Sequence, residues 1–144
     1  MTKVDSLLAD YAFYHQTRGN MACHFIGIPL IVFSLLAMLR SASLYGSFTV
    51  AEALIVLSLI YYVTLDIRLA FTMLVGTAAL DCVAWLWAAW QIGIAAFVLG
   101  WIFQAIGHAV YEKRSPAFTR NLVHLLIGPI FLINEAFHIR KLAV

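Results

Sequence analysis

Charge is what this sequence has least of. Only 11% of its 144 residues are Asp, Glu, Lys or Arg, whereas 64% are hydrophobic and the mean hydropathy is +0.94. A soluble domain is nearer a quarter charged and half apolar. The length allows one domain, and no soluble core of that size hides so much apolar surface, so residues 1–144 read as a single membrane-embedded domain. A net charge of +2 is too small to point to a nucleic-acid partner. Cysteine is scarce as well: Cys23 and Cys82 lie inside apolar runs without C-x-x-C spacing and read as buried free thiols. There is no Gly-rich phosphate loop, no G-x-S-x-G and no H-E-x-x-H, which argues against a nucleotide enzyme, a serine hydrolase or a zincin. The first twenty residues carry Lys3, Asp5, Asp10 and Arg18 and no continuous apolar run. They do not read as a cleavable signal peptide.

What the chain does have is long hydrophobic runs. Leu7, Leu8, Tyr11, Phe13 and Tyr14 alternate with polar residues, predicting a short amphipathic helix at the membrane interface. Spans are predicted at Met21–Leu39, closed by Arg40 and containing Pro29, at Phe48–Leu65 after a loop at Ser41–Ser47, and at Leu69–Trp90. Each is close to the ~20 residues that a bilayer core requires. Trp85, Trp87 and Trp90 suit an interfacial belt. A tight turn at Gln91–Gly93 then leads into a fourth span. A last run, Leu122–Phe137, is short and contains His124, Pro129 and Glu135, so it either crosses or re-enters. The predicted fold class is an all-α integral membrane protein, a bundle of four to five transmembrane helices with a short N-terminal interfacial helix.

The fourth span ends in the stretch Gly100–Pro116, where an apolar helix presents His108 and, four residues on, Glu112. Residues four apart share a helix face. Gly93, Gly100 and Gly107 recur every seven residues, a stripe that lets another helix come close. The basic residues set the topology. With five crossings, Lys3, Arg18, Arg68, Lys113, Arg114 and Arg120 face Arg40, Arg140 and Lys141, a split of 6 against 3. If the last run re-enters, the split is 8 against 1. Both place the amino terminus in the cytoplasm. His15, Asn20, His24, His108 and Glu112 then lie at one depth, on the cytoplasmic side.

Several imidazoles and a carboxylate suit a first-row transition metal: two His and a carboxylate are an Fe(II) oxygenase set, and three His can also hold zinc. These residue types do not separate the two metals. Glu112 is a ligand or fixes His108. His124 lies at the same level without a clear neighbour, and His138 reads as an interfacial side chain. Asp81, near the middle of the third span, is either functional or a hydrogen bond between helices. A competing reading is a small transporter or proton- or metal-conducting bundle using Asp81 and the histidines.

Two motifs resemble the membrane 2-hydroxy fatty acid dioxygenase family, the yeast-type iron enzymes of fatty acid α-oxidation. The first is Tyr14-His15 with Asn20 and His24, leading into the span with Pro29. The second is Gly100-Trp101-Ile102-Phe103-Gln104, Gly107-His108, Glu112-Lys113-Arg114 and Pro116-Ala117, continuing to Asn121-Leu122-Val123. Pro129 and Glu135 also match. The resemblance implies an Fe(II)-dependent dioxygenase that shortens a long-chain 2-hydroxy fatty acid by one carbon, with O2 as co-substrate and CO2 released. The family's essential histidines map onto His15, His24 and His108. Glu112 joins them as a catalytic and metal residue, and Asn20, Gln104, Lys113 and Arg114 are the candidate substrate contacts. His124 stands where the family commonly has a residue such as Gln, and Asp81 has no counterpart. The implied location is the bacterial inner membrane or, in a eukaryote, the endoplasmic reticulum.

Overall fold

Each of the first four helices starts where a side chain takes up a backbone N–H, as the unpaired donors there require. The computed structural model describes residues 2–87 and 89–140. Thr2 and Asp5 form a reciprocal capping box for α1, Lys3–Phe13. Thr17 accepts from the Asn20 N–H at the start of α2, Arg18–Leu39. At the start of α3, Val50–Leu65, the Glu52 carboxylate reaches back to accept from the Thr49 N–H at 2.7 Å. Asp66 accepts from the N–H groups of Arg68 and Leu69 and opens α4, Ile67–Trp87. The fifth helix, α5, runs Trp90–Ile106 and continues into a π-helical turn at Gly107–Glu112. After a single 3-10 turn at Ala117–Thr119, α6 occupies His124–Phe137.

Three of these helices are long and apolar enough to cross a membrane: α2, α4, and α5 with its π turn. The outward faces fit lipid, with Leu57 and Ile60 of α3, Phe71 and Trp85 of α4 and Leu99 of α5 exposed. Three expectations need correction. Gln91–Gly93 is not a turn, because both ends of that segment lie inside α5, and the reversal falls between Trp87 and Trp90. The loop at Ser41–Ser47 is mostly hairpin, β1 (Ser43–Tyr45) against β2 (Phe48–Thr49), turning at Gly46 with φ +56°. Cys82 is exposed on the outer face of α4, so only Cys23 is a buried thiol. Lys141, counted in the charge split, lies outside the described residues.

The glycine stripe of α5 meets α2, which runs antiparallel to it. A Cβ on Gly93 would lie 2.8 Å from Met38 Cγ. One on Gly100 would lie 2.6 Å from Ile31 Cγ1 and 2.9 Å from the Gly27 carbonyl oxygen, and one on Gly107 2.4 Å from Asn20 Oδ1. Gly27 returns the approach, since its own Cβ would come 2.8 Å from the Gly100 oxygen. The two backbones are therefore in contact. Gly100→Ala is expected to push α2 and α5 apart and cost about 1 to 3 kcal/mol, as overpacking does. Gly76→Ala, on α4 with open space around it, should stabilise by about 0.5 to 1 kcal/mol. Thermal unfolding in detergent compares the two.

At one end of the bundle the Arg40 guanidinium donates to both Asp81 carboxylate oxygens at 2.6 Å and lies 3.3 Å from Glu52. Asp81 is thus a bond between helices, and its carboxylate is occupied. At the opposite end lie the start of α2, the α3–α4 junction at Asp66 and the π turn. There Val4, Leu8 and Tyr11 of α1 pack with Ile127, Ile130 and Phe131 of α6 and with Leu69 and Met73 of α4. Two polar ties fix α6 along α1. His124 Nε2 lies 2.9 Å from Asp10 at one end of α6. Just past its other end, the Arg140 side chain bonds Asp5 at 2.9 Å, Thr2 at 3.2 Å and the Asp66 carboxylate. These partners hold the Arg140 guanidinium charged, above its ordinary range. The last helix therefore begins and ends at the same end of the bundle.

Candidate metal centre

Three imidazoles from three separate elements meet under α1. His15 belongs to the link between α1 and α2, His24 to α2, and His108 to the π turn. All three are buried, and one ligand atom from each lies within 4.8 Å of the others. Their ring centroids are 4.4, 4.9 and 4.9 Å apart. A π turn carries one extra residue within the ladder and recurs at functional sites. Here it carries His108 out of α5 toward the start of α2.

The second nitrogens determine what this cluster can do. His15 Nδ1 lies 2.7 Å from the Tyr11 carbonyl oxygen, and its ring is stacked 4.0 Å from the Tyr11 ring. His24 Nδ1 lies 2.9 Å from the Asn20 carbonyl oxygen. A carbonyl only accepts, so each Nδ1 carries the proton and each Nε2 of the neutral ring presents a lone pair. Those two Nε2 atoms face each other at 3.0 Å. Two lone pairs at that distance repel unless a cation sits against both. Nitrogens about 2 Å from one metal ion would be separated by roughly this much. The third histidine offers a buried Nδ1 that has no partner among the described residues. The donor set fits a metal.

Burial is the main force on His15, aided by the nearby His108, and together they hold its pKa down to about 4 against the ordinary 6.5. The ring is therefore neutral at physiological pH, as a ligand must be. An unfolded chain binds a proton there below about 6.5, and the folded protein resists it down to about 4. Stability then rises with pH across that window and falls on acidification. For the metal-free protein the loss should reach about 3 kcal/mol at pH 4, read from thermal unfolding as a function of pH.

The Glu112 carboxylate lies outside the trio. It accepts from the backbone N–H groups of Gln16 (3.1 Å) and Thr17 (3.1 Å), from Thr17 Oγ1 (2.9 Å) and from Asn20 Nδ2 (3.1 Å). An anion at a helix N-terminus meets unsatisfied donors and the positive end of the dipole. Glu112 thus ties the end of the π turn to the segment that bears His15 and His24. Asn20 serves the same tie, and its Nδ2 also donates to the Tyr14 carbonyl. Beside it the Tyr111 ring lies on Gly19, where a Cβ would come within 2.2 Å.

A cavity of about 290 Å³ opens beside the histidines, between α2, α5 and α6. Of the candidate substrate contacts, Gln104 lines it, and its buried Nε2 has no partner among the described residues. Lys113 and Arg114 do not line it. The first is exposed with a left-handed backbone (φ 54°), ending the π turn. Arg114 instead reaches back to α1, with its guanidinium 5.1 Å from the Phe13 ring centroid. His124 does line the cavity, its Nδ1 3.1 Å from the Ala117 carbonyl. His138 is exposed. Sequence reasoning missed Tyr11 as the support of His15. The four-residue spacing from an aromatic on a short helix was the available signal.

Residues 1–139 match the family model described as 2-hydroxy-palmitic acid dioxygenase Mpo1-like. The 2-hydroxy-palmitic acid dioxygenase MPO1 of Saccharomyces cerevisiae is 36% identical over 136 residues, spanning 90% of this chain and 77% of the yeast protein. No solved structure matches.

Proposed function

The chain belongs to the Mpo1-like family of 2-hydroxy-palmitic acid dioxygenases, and on that footing we propose that it oxidises long-chain 2-hydroxy fatty acids with O2. In this reaction the C1–C2 bond breaks, C1 leaves as CO2, C2 becomes the carboxyl carbon of an acid one carbon shorter, and O2 supplies the oxidising power, with one water formed. The observation that carries the reading is the pair of unprotonated Nε2 atoms, His15 and His24, facing each other at 3.0 Å beside His108 and an apolar cavity. His15, His24 and His108 would hold Fe2+. When bound, a redox-active iron supplies the one-electron chemistry that O2 needs in order to react with a closed-shell organic molecule.

Everything else falls to the chain. Three neutral imidazoles with no carboxylate leave the charge of a divalent ion uncompensated in an apolar surrounding. The anionic head of a 2-hydroxy acid is what neutralises it. The Gln104 Nε2 donates a hydrogen bond to that head and orients it. Tyr11 and the Asn20 carbonyl fix the tautomers of His15 and His24, and a hydrogen bond to the second nitrogen strengthens an imidazole as a ligand. Glu112 and Asn20 position the two halves of the site, while Lys113 and Arg114 act as interfacial anchors.

The protein is an integral membrane protein with four crossings, α2 to α5. Since α6 starts and finishes at the end that carries α1, Arg140 joins Lys3, Arg18, Arg68, Lys113, Arg114 and Arg120 on one side, leaving Arg40 on the other. That asymmetry supports a cytoplasmic position for α1, α6 and the histidines. A proton path through Asp81 is not favoured, because Arg40 already holds its carboxylate. The test is direct. Protein purified with iron should consume O2, release CO2 and convert 2-hydroxypalmitate to the acid one carbon shorter, and chelation should stop it. Protein that binds iron stoichiometrically yet leaves 2-hydroxypalmitate untouched would sink the proposal.

A further inference from the structure

The cavity beside the histidines is not the end of the apolar space. A second chamber of about 170 Å³ lies between α2, α3, α4 and α6. Val32 and Leu35 of α2 and Leu125 and Pro129 of α6 line both, so the two chambers stand on either side of one wall of four apolar side chains. The second chamber also contains three hydroxyls, none of them free. Ser58 Oγ donates to the Leu54 carbonyl at 2.8 Å, Thr77 Oγ1 to the Met73 carbonyl at 2.7 Å, and Tyr62 Oη to the Leu126 carbonyl at 2.8 Å. A polar ligand would find no donor to answer it there, whereas hydrocarbon loses nothing. One end of the combined space is thus polar and metal-ready, and the other accepts only hydrocarbon.

We propose that the two chambers form one groove, in which the hydrocarbon tail of the substrate passes between Leu35 and Leu125 and ends against Ser58 and Thr77. Its dimensions set the preferred chain length. The occupant named here rests on the 2-hydroxy acid reading above, but the path of the tail is separate from the identity of the reaction. Leu125 is about half exposed (48%), so the divider borders the lipid and tails can enter sideways from the bilayer.

Two filled-chamber variants test this, Ser58→Phe and Thr77→Phe, with Leu57→Phe on the lipid-facing side of α3 as the control. In both test variants kcat/KM for 2-hydroxypalmitate should fall by about tenfold or more, while that for 2-hydroxyoctanoate and the bound iron stay as in the parent protein. The control should change neither substrate. Equal losses on both substrates, or no loss on the long one, would overturn the groove. A readout free of turnover stands beside it. Palmitate bearing a photoreactive group at its terminal carbon should label α3 or α4 within residues 54–77. Labelling confined to α5, or to lipid alone, would overturn the path of the tail even if the dioxygenase reading holds. If the parent protein proves inactive on every 2-hydroxy acid, that reading fails while the labelling still decides the groove.

Discussion

Alanine at any one of His15, His24 or His108 is expected to remove both bound iron and the turnover of 2-hydroxy acids, by at least about a hundredfold in each single variant. Losses of 10- to 100-fold follow removal of groups that merely support a ligand, so loss of a ligand sets a higher floor. The three variants are not equivalent in stability. His15→Ala and His24→Ala each delete one of the two lone pairs that face each other at 3.0 Å. The metal-free forms of these two should therefore be more stable than the metal-free parent, by relief of that repulsion and of the cost of keeping the ring buried. With iron present the order reverses, because only the parent gains from binding. Metal analysis after gel filtration, paired with unfolding curves taken with and without Fe2+, separates the two effects. Iron retained in all three variants, with activity intact, would show that these histidines are not the metal's ligands.

The second large effect falls on Glu112. Its carboxylate meets two backbone N–H groups, one hydroxyl and one amide of the segment Gln16–Asn20. Hydrogen bonds to a charged acceptor contribute about 1.5 to 3 kcal/mol, and deletion leaves the donors at the start of α2 unanswered. Glu112→Ala should therefore cost about 2 to 3 kcal/mol and loosen His108 from the other two ligands. Glu112→Gln keeps one acceptor oxygen and the shape, and should recover roughly half of that. The readout that distinguishes a positioning role from ligation is iron stoichiometry. As a positioning residue, Glu112→Gln still binds one equivalent at saturating Fe2+, with a weaker dissociation constant. As a ligand, it would lose that equivalent.

The helices that bear the site were legible in the sequence through composition: α2 is a long apolar run that opens at Thr17 and closes at Arg40, and α5 is another that runs out into Lys113 and Arg114. The trio was legible for a different reason. His15, His24 and His108 are far apart in the chain, but the alternation of helices brings the start of α2 and the end of α5 to one end of the bundle. The order of the apolar runs makes that alternation readable in the sequence. Positions along the membrane normal are thus encoded one helix at a time. Lateral contacts are not. That Glu112 turns toward Gln16 and Thr17, that Arg114 lies over Phe13, and that Arg40 occupies Asp81 depend on which helices are neighbours and how they are rotated. Periodicity left the face of nearly every helix ambiguous, because in a lipid-exposed bundle both faces are apolar. The π turn was also hidden, since no residue type in Gly107–Glu112 demands it. It coincides with the close approach of Gly107 to Asn20, a tertiary fact.

The strapping of α6 along α1 bears on the order in which the protein is assembled. Asp5 and Arg140 are separated by 135 positions, and contacts of such long range form late. During synthesis α1 precedes its partner, so Val4, Leu8 and Tyr11 stay uncovered on that face until α2 to α5 have been made and α6 arrives to cover them. Tyr11 holds His15, so the first ligand in the sequence is among the last to be fixed. A metal held by this trio would accordingly enter only after α6 has docked, and an interrupted chain lacking α6 would carry all three histidines without the ordered cluster.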